Sequence, residues 1–472
     1  MKNKLIYKYI GKVLIGFAIL LLCPICVSLY FKESLIHFLI PLIISLLTGI
    51  IFNSLKPKNK NIYAKDGFII VSISWILISI IGAIPLILGD NLNFFDAFFE
   101  AVSGLTTTGA TIYEDIEHLT KSLSFWRCFM HFIGGMGVLA FVMAIVPLSK
   151  NDKSMHVLKA EMPGPSVAKL VPSIKKTLFY LYAIYIILTL LEFSLLLLGG
   201  LNIFDSLLIS FSTAGTGGFA VLNSSIATYL VFNKWVITIF MFLFGINFNI
   251  YFLIIMKDIK TALKSEELKV YLILFICSTI FIIINTYKMF NTLGETILSS
   301  AFHISAIMTS TGFSMGDINI YPTNCQIICL LLMLISACAG STCGGFKISR
   351  LIIIFKTIKR EILKAFHPNS VHVIKFEGKK VDESAVKNTT TFMFLYILLI
   401  IIIMFLISFD GFSLSETINA VFTTFANVGL CFEISNFAAF SSFSKFVLSI
   451  GMLLGRLEIF PIIVLLSNLT KE

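Results

Sequence analysis

One short pattern occurs four times in this chain, and each copy is too short and too polar to cross a bilayer. The copies read FDAFFEAVSGLTTTGAT from Phe95, FDSLLISFSTAGTGGFA from Phe204, LSSAFHISAIMTSTGFS from Leu298 and SETINAVFTTFANVGL from Ser415. Each begins as a short amphipathic helix, runs out into a glycine loop, and stands between apolar stretches long enough to span hydrocarbon. The copies align without gaps. Asp96 lies thirteen residues before Gly109, Asp205 thirteen before Gly218 and Glu416 thirteen before Gly429, while the third copy carries Ser299 at that distance from Gly312. Internal repetition of this kind sets an architecture.

Hydrophobic residues make up 57% of the 472 and charged residues only 13%. A soluble domain carries about a quarter charged residues, so the chain reads as an integral membrane protein. Ten spans are expected: Ile10–Tyr30, Leu35–Phe52, Gly67–Leu88, Phe125–Leu148, Leu178–Leu198, Trp235–Met256, Val270–Ile284, Cys325–Ile354, Thr391–Phe409 and Phe443–Leu466. In lipid only helices or closed barrels satisfy the backbone, and period-2 alternation is missing from these runs. The expected fold is therefore all-α: fourfold pseudo-symmetric repeats of helix, pore helix and helix, as in potassium channels, plus two N-terminal helices. The divisions are 1–66 for the leading pair, then 67–150, 151–262, 263–386 and 387–472 for the four pore repeats. The opening MKNKLIYKYIGK and its apolar run resemble a signal peptide, but no small-residue cleavage site follows, so they read as an uncleaved first span. Nine cysteines, mostly within apolar runs, suggest no disulfide framework, and Cys23 and Cys26 read as two packed thiols.

Lysine and arginine gather in alternate loops. Lys2, Lys4, Lys8 and Lys12 precede the first span, Lys56, Lys58, Lys60 and Lys65 follow the second, and Lys150 to Lys176 the fourth. Lys257 to Lys269 follow the sixth and Lys356 to Lys387 the eighth. The positive-inside rule places these loops and both termini in the cytoplasm of a cell-membrane protein. The opposite side holds the four glycine loops and many acids, among them Asp90, Glu100, Asp115, Glu117, Asp317 and Glu433. Acids at a pore mouth concentrate cations, although some would only solvate the loops. The formal net charge of +10 is then topological, and no nucleic-acid motif uses it. Membrane lipid is the implied surrounding.

The four loops suit a cation that must shed water. Such an ion needs a ring of oxygens, which backbone carbonyls supply. Successive carbonyls point one way only through unusual dihedrals, which glycine reaches without a Cβ penalty. A pore helix aims its negative C-terminal end at the same point. The candidate ion-binding residues are Thr107, Thr108 and Gly109; Thr216, Gly217 and Gly218; Ser310, Thr311 and Gly312; and Asn427, Val428 and Gly429.

Longer motifs extend the pattern: TTTGAT at Thr106, HFIGGMGVLAFVMAIVP at His131, KAEMPGP at Lys159, STAGTGGF at Ser212, STGF at Ser310, CAGSTCGGFKISRL at Cys338, ANVGL at Ala426 and GRLEIF at Gly455. With them the chain resembles the TrkH/KtrB/HKT superfamily of cation transporters over nearly its whole length. The two leading helices match the TrkH branch. The resemblance implies potassium uptake through one pore per subunit, potassium at the filter, a homodimer, and a cytosolic nucleotide-binding regulatory ring of the TrkA type, with no nucleotide on this chain itself. In plant relatives a serine at the first filter glycine goes with sodium transport. Gly109 stands there here, which favours potassium; sodium or mixed, ion-coupled passage is the alternative. The fourth loop departs from the others, since ANVGL lacks their hydroxyl.

The small residues of CAGSTCGGFK interrupt the eighth span. A packed kink is one reading; the resemblance implies a gating loop beneath the filter, with Gly340, Ser341, Thr342, Gly344 and Gly345 as its candidates. Arg456 lies within the last span, where charge is costly and commonly functional. It is expected either to act with the gate as a barrier to cations, or to lock helices through Glu458 or backbone carbonyls. His303 is expected to pack or cap, and Glu192 is assigned no transport role. Asn247 and Asn249 either line the inner cavity or bond across helices. The MPGP around Pro163 and the basic 356–387 stretch are expected to meet a regulatory ring or anionic lipid. An intramembrane enzyme would need paired acids, a Ser/His pair or an HExxH site, and the chain has none, so it is expected not to be an enzyme.

Overall fold

A computed structural model describes residues 3–57, 63–137, 174–434 and 436–469. Helices dominate, and the strands among the described residues are the two-residue pair Lys375–Phe376 and Lys379–Lys380, which form a hairpin. The helices long and apolar enough to cross a membrane number six among the described residues: Lys4–Phe31, Ile36–Ser54, Lys65–Asp90, Leu178–Leu198, Glu266–Thr286 and Glu383–Asp410. They are the two leading helices and the first helix of every repeat.

The ten expected spans come down to six whole helices among the described residues because the second helix is interrupted in the second, third and fourth repeats. Val231–Phe244 and Phe248–Ile255 meet at 91°, and Ser442–Arg456 and Phe460–Ser467 at 114°; counting each bent pair as one span gives up to eight. In the third repeat Thr323–Ile335 ends, a loop of small residues follows over 336–347, and Ile348–Phe366 resumes. In the first repeat Lys121–Gly135 ends just before residues 138–173, so the far half of the expected fourth span and the MPGP motif lie outside the described residues. Only the interruption at 336–347 was legible as a break in hydropathy. The bend at Gly245 falls in a nearly apolar run and that at Leu457 between Arg456 and Glu458; packing on the short helices is close, since a Cβ at Gly455 would stand 2.0 Å from the Phe425 carbonyl oxygen, and one at Gly134 in the first repeat 2.0 Å from that of Leu105. These glycines let the second helices press on the C-terminal ends of the short helices.

The four short helices are Phe94–Leu105, Ile203–Gly215, Leu293–Met308 and Leu414–Phe425. Their N-termini are built alike. Asn93 and Asn202 accept from the backbone N–H of Asp96 and Asp205 and donate back to those carboxylates, and Ser413 and Glu416 form a capping box. In the third repeat the helix starts a turn earlier, and Thr292 accepts from the N–H of Glu295. The acid thirteen residues before each glycine is thus a helix-start residue, and Ser299 replaces it where the start has moved. Buried side chains around these helices, among them Phe99, Leu105, Trp126, Met130, Phe244 and Phe425, form one apolar core.

Candidate functional site: a ring of four loops

Every short helix ends the same way. The backbone N–H groups of Thr108, Gly217, Thr311 and Val428 donate to the carbonyls of Ser103, Ser212, Ala306 and Thr423, each at 2.8–2.9 Å. Thr107, Thr216, Ser310 and Asn427 hold φ of 52–57°, and Gly109, Gly218, Gly312 and Gly429 hold φ of 77–81°. The residue between each pair is on the ordinary negative side. Alternating hands of this kind turn successive carbonyls toward the same axis, a conformation that costs an L-residue about 1–2 kcal/mol.

The loops close into a ring. A Cβ at Gly109 would stand 1.9 Å from the carbonyl oxygen of Gly217; at Gly218, 2.0 Å from that of Thr311; at Gly312, 1.8 Å from that of Val428; and at Gly429, 2.1 Å from that of Thr108. Each glycine therefore abuts the residue preceding the glycine of the next repeat, and the fourth returns to the first. The twelve residues singled out in the sequence meet at one place, with their carbonyl-bearing backbone at the contact. All are buried or nearly so, as membrane-depth loops must be.

Beyond the glycines the four loops diverge around a cavity of about 340 Å³ lined by all four of them together with Arg127, Asp317, Asn319 and Glu433. Its wall is stitched from repeat to repeat. Asn223 accepts from the Ile116 N–H and donates to Asp115, holding that carboxyl below its ordinary range. The Ile226 N–H donates to the Ser314 carbonyl, the Glu433 N–H to Asn319, and the Phe437 N–H to the Thr111 carbonyl.

Buried polar side chains brace the loops from behind. Glu100 accepts from the Ile112 N–H at 3.0 Å and pairs with Arg127 at 2.8 Å, both side chains being 2% exposed or less. Arg127 lies 4.1 Å over the Phe219 ring. His303 accepts from the Met315 N–H at 3.3 Å and bonds Tyr321 at 2.7 Å; it packs and braces, as expected. Glu100 and His303 share one register, nine residues before their glycines, and each holds the N–H three residues after it. His131 braces the second loop one residue after its glycine, accepting from the Phe219 N–H at 3.3 Å and lying against the Gly104 carbonyl at 2.9 Å. In the fourth loop the Thr423 hydroxyl donates to the Leu430 carbonyl at 2.7 Å. The shared register was the available sequence signal for Glu100; Arg127 and His131 come from another helix, and although His131 opens one of the quoted motifs, no spacing tied either residue to a loop.

The opposite face of the ring is covered by 336–347. The Gly344 N–H donates to the Ser310 hydroxyl at 3.0 Å, and a Cβ there would stand 2.7 Å from Asn427. The loop is thus seated on the residues that precede the glycines, while the cavity lies on those that follow. Arg456 donates to the carbonyls of Thr342 at 2.7 Å and Gly135 at 2.9 Å, and also to that of Gly134. It ties the loop to the second helix of the first repeat. Of the pairings considered for it, the backbone one is found; Glu458 is engaged by Arg350 instead. Asn247 lies at the bend of the second repeat, against Gly340, and accepts from the Asn249 N–H at 3.0 Å. Glu192 is fully buried in the first helix of the second repeat.

An all-helical, multi-pass membrane protein whose four re-entrant loops close on one axis belongs to the class of ion-conducting transport proteins. Comparison with known proteins narrows this. A family model described as "TrkH: Cation transport protein" matches residues 37–471, and the chain belongs to that family. It is 32% identical over 468 residues to the Trk system potassium uptake protein TrkG of Escherichia coli, covering 96% of this chain and 95% of the relative. It is 29% identical to the Trk system potassium uptake protein TrkH of Halomonas elongata, covering 99% of each. The crystal structure of the potassium transporter TrkH from Vibrio parahaemolyticus superposes with a TM-score of 0.90 over 100% of both chains at 26% identity. The chain is a cation transporter by family and not an enzyme.

Proposed function

We propose that this protein takes up potassium across the cell membrane, and that the ring of Thr107–Gly109, Thr216–Gly218, Ser310–Gly312 and Asn427–Gly429 is its selectivity filter. The observation that carries the reading is the closed succession of glycine-to-carbonyl contacts around the four repeats. Carbonyls of Thr108, Gly217, Thr311 and Val428 replace the water of an entering ion, and the C-terminal ends of the four short helices add about half a negative charge each. A membrane potential supplies about 2.3 kcal/mol per ion per 100 mV, so passage inward needs no covalent chemistry. The names of the relatives support potassium as the ion.

In the same reading the loop 336–347, with Gly340, Ser341, Thr342, Gly344 and Gly345, is the gate, and Arg456 holds it shut beneath the filter. The four repeat boundaries drawn from the sequence, cytoplasmic termini, a homodimer and a cytosolic nucleotide-binding ring of the TrkA type belong to this proposal. The alternation of basic and acidic loops and the Trk system names of the relatives support it.

The test is growth of potassium-uptake-deficient cells at low potassium. The chain is expected to restore growth, and Gly109→Ser to abolish it or to admit sodium. Restoration that is insensitive to Gly109→Ser would oppose the filter assignment.

A further inference from the structure

The loop 336–347 is fastened at both ends by a side chain outside it. Glu267, one residue into the first helix of the third repeat, is 4% exposed. One of its carboxylate oxygens accepts from the backbone N–H of Ala339 at 2.7 Å and from that of Ser349 at 3.2 Å; the other accepts from the Asn247 amide at 3.4 Å. Ala339 lies in the loop's leading arm and Ser349 is the second residue of the helix that follows, so one carboxylate spans the loop. Asn247 adds the second repeat, at the bend where the Phe248 N–H donates to the Gly340 carbonyl at 3.0 Å.

The same residue is held from the other direction. The carboxylate of Glu377, at the turn of the hairpin, accepts from the Glu267 backbone N–H at 3.2 Å and from the Ser265 hydroxyl at 2.8 Å. Lys356 pairs with Glu266 and donates to the Lys375 carbonyl at 2.7 Å. Ile374 and Phe376 are buried in one apolar cluster with Ala337, Cys338 and Cys343 of the loop. The hairpin turn itself, Glu377 to Lys380, is exposed.

We propose that Glu267 is the positioning residue that keeps the loop closed, and that the hairpin turn sets it through Glu377, so that displacing the hairpin frees both ends of the loop at once. The inference rests on the loop being the gate. Its physical content is that a carboxylate shared by two loop-end N–H groups either holds both or neither, and that its own backbone is oriented by an exposed group.

The experiment uses the whole chain in liposomes and measures rubidium flux and potassium-over-sodium selectivity. The variants are Glu267→Ala, Glu267→Gln, Glu377→Ala, the double Glu267→Ala/Glu377→Ala, and a chain with the loop shortened between Gly340 and Gly344. Glu267→Ala and Glu377→Ala are each expected to raise flux about fivefold, the change that one ordinary hydrogen bond makes to an equilibrium. Selectivity should stay unchanged. Glu267→Gln, which keeps an acceptor, should lie nearer the unaltered protein, and the double variant should not exceed Glu267→Ala. If the shortened loop raises flux but neither single variant does, or if they shift selectivity, the latch is wrong and the gate stands. If the shortened loop does not raise flux, the gate reading fails and the latch fails with it. Should Glu267→Ala not fold, Glu377→Ala at its exposed turn decides: flux at or below that of the unaltered protein overturns the proposal.

Discussion

Glycine at positions 109, 218, 312 and 429 answers two demands at once. Its φ lies where other residues are strained, and its missing Cβ leaves room for a carbonyl from the adjacent repeat. Any L-residue at Gly312 would add about 1–2 kcal/mol of backbone strain to a contact of 1.8 Å with backbone that has nowhere to go. Gly312→Ala is therefore expected to reduce rubidium uptake tenfold or more, since each 1.4 kcal/mol is about tenfold, while the protein still reaches the membrane; uptake within twofold of the unaltered chain would contradict this. The Arg127–Glu100 pair makes a different prediction. Removing one partner of a buried pair leaves a bare charge and costs roughly 3–5 kcal/mol, whereas removing both costs less. Arg127→Gln should lower the thermal unfolding temperature in detergent more than Arg127→Gln with Glu100→Gln. The opposite order would mean that the pair does not hold the first loop.

Among the elements, the short helices and the loop 336–347 differ in what their sequences disclosed. The glycine register, the hydroxyl-rich approach to it and the acid thirteen residues upstream were all legible, because each answers a local backbone requirement: a positive φ, a close approach, a helix start. The acid was legible as a position but not as a purpose, since capping and ion attraction both ask for a carboxylate. The break at Gly245 was hidden because the residues around it, FLFGI, stay apolar, the one at Leu457 read as charge within a span and not as a bend, and His131 reaches its loop from another helix, a relation with no sequence spacing. Arg456 was visible as a charge at membrane depth, yet its partners, Thr342, Gly134 and Gly135, are carbonyls that any sequence carries. Arg456→Ala frees the loop from the first repeat, and rubidium flux in liposomes should rise severalfold; the loss of one charge-assisted hydrogen bond, at about 1.5–3 kcal/mol, is sufficient. Unchanged or reduced flux would show that Arg456 only locks helices.

At the scale of the molecule, six whole helices and the broken second helices among the described residues surround a single axis, and the charge pattern supports the proposed orientation. On that proposal the basic residues at 356–387 face the cytoplasm and the loops after each glycine face outward. In a background without reactive cysteines, Lys359→Cys should be labelled by an impermeant maleimide only from the cytoplasm and Asp317→Cys only from outside; labelling of both from one side would overturn the topology. The two leading helices lie outside the fourfold pattern, and so they bear on placement and not on the ring. The claim on which everything else depends is that four loops of one chain strip water from one ion. Anomalous diffraction from crystals grown in thallium or rubidium tests it most directly. The account predicts a peak on the axis among the carbonyls of Thr108, Gly217, Thr311 and Val428, weakened by Gly109→Ser; an empty axis, with ion density only elsewhere, would contradict it.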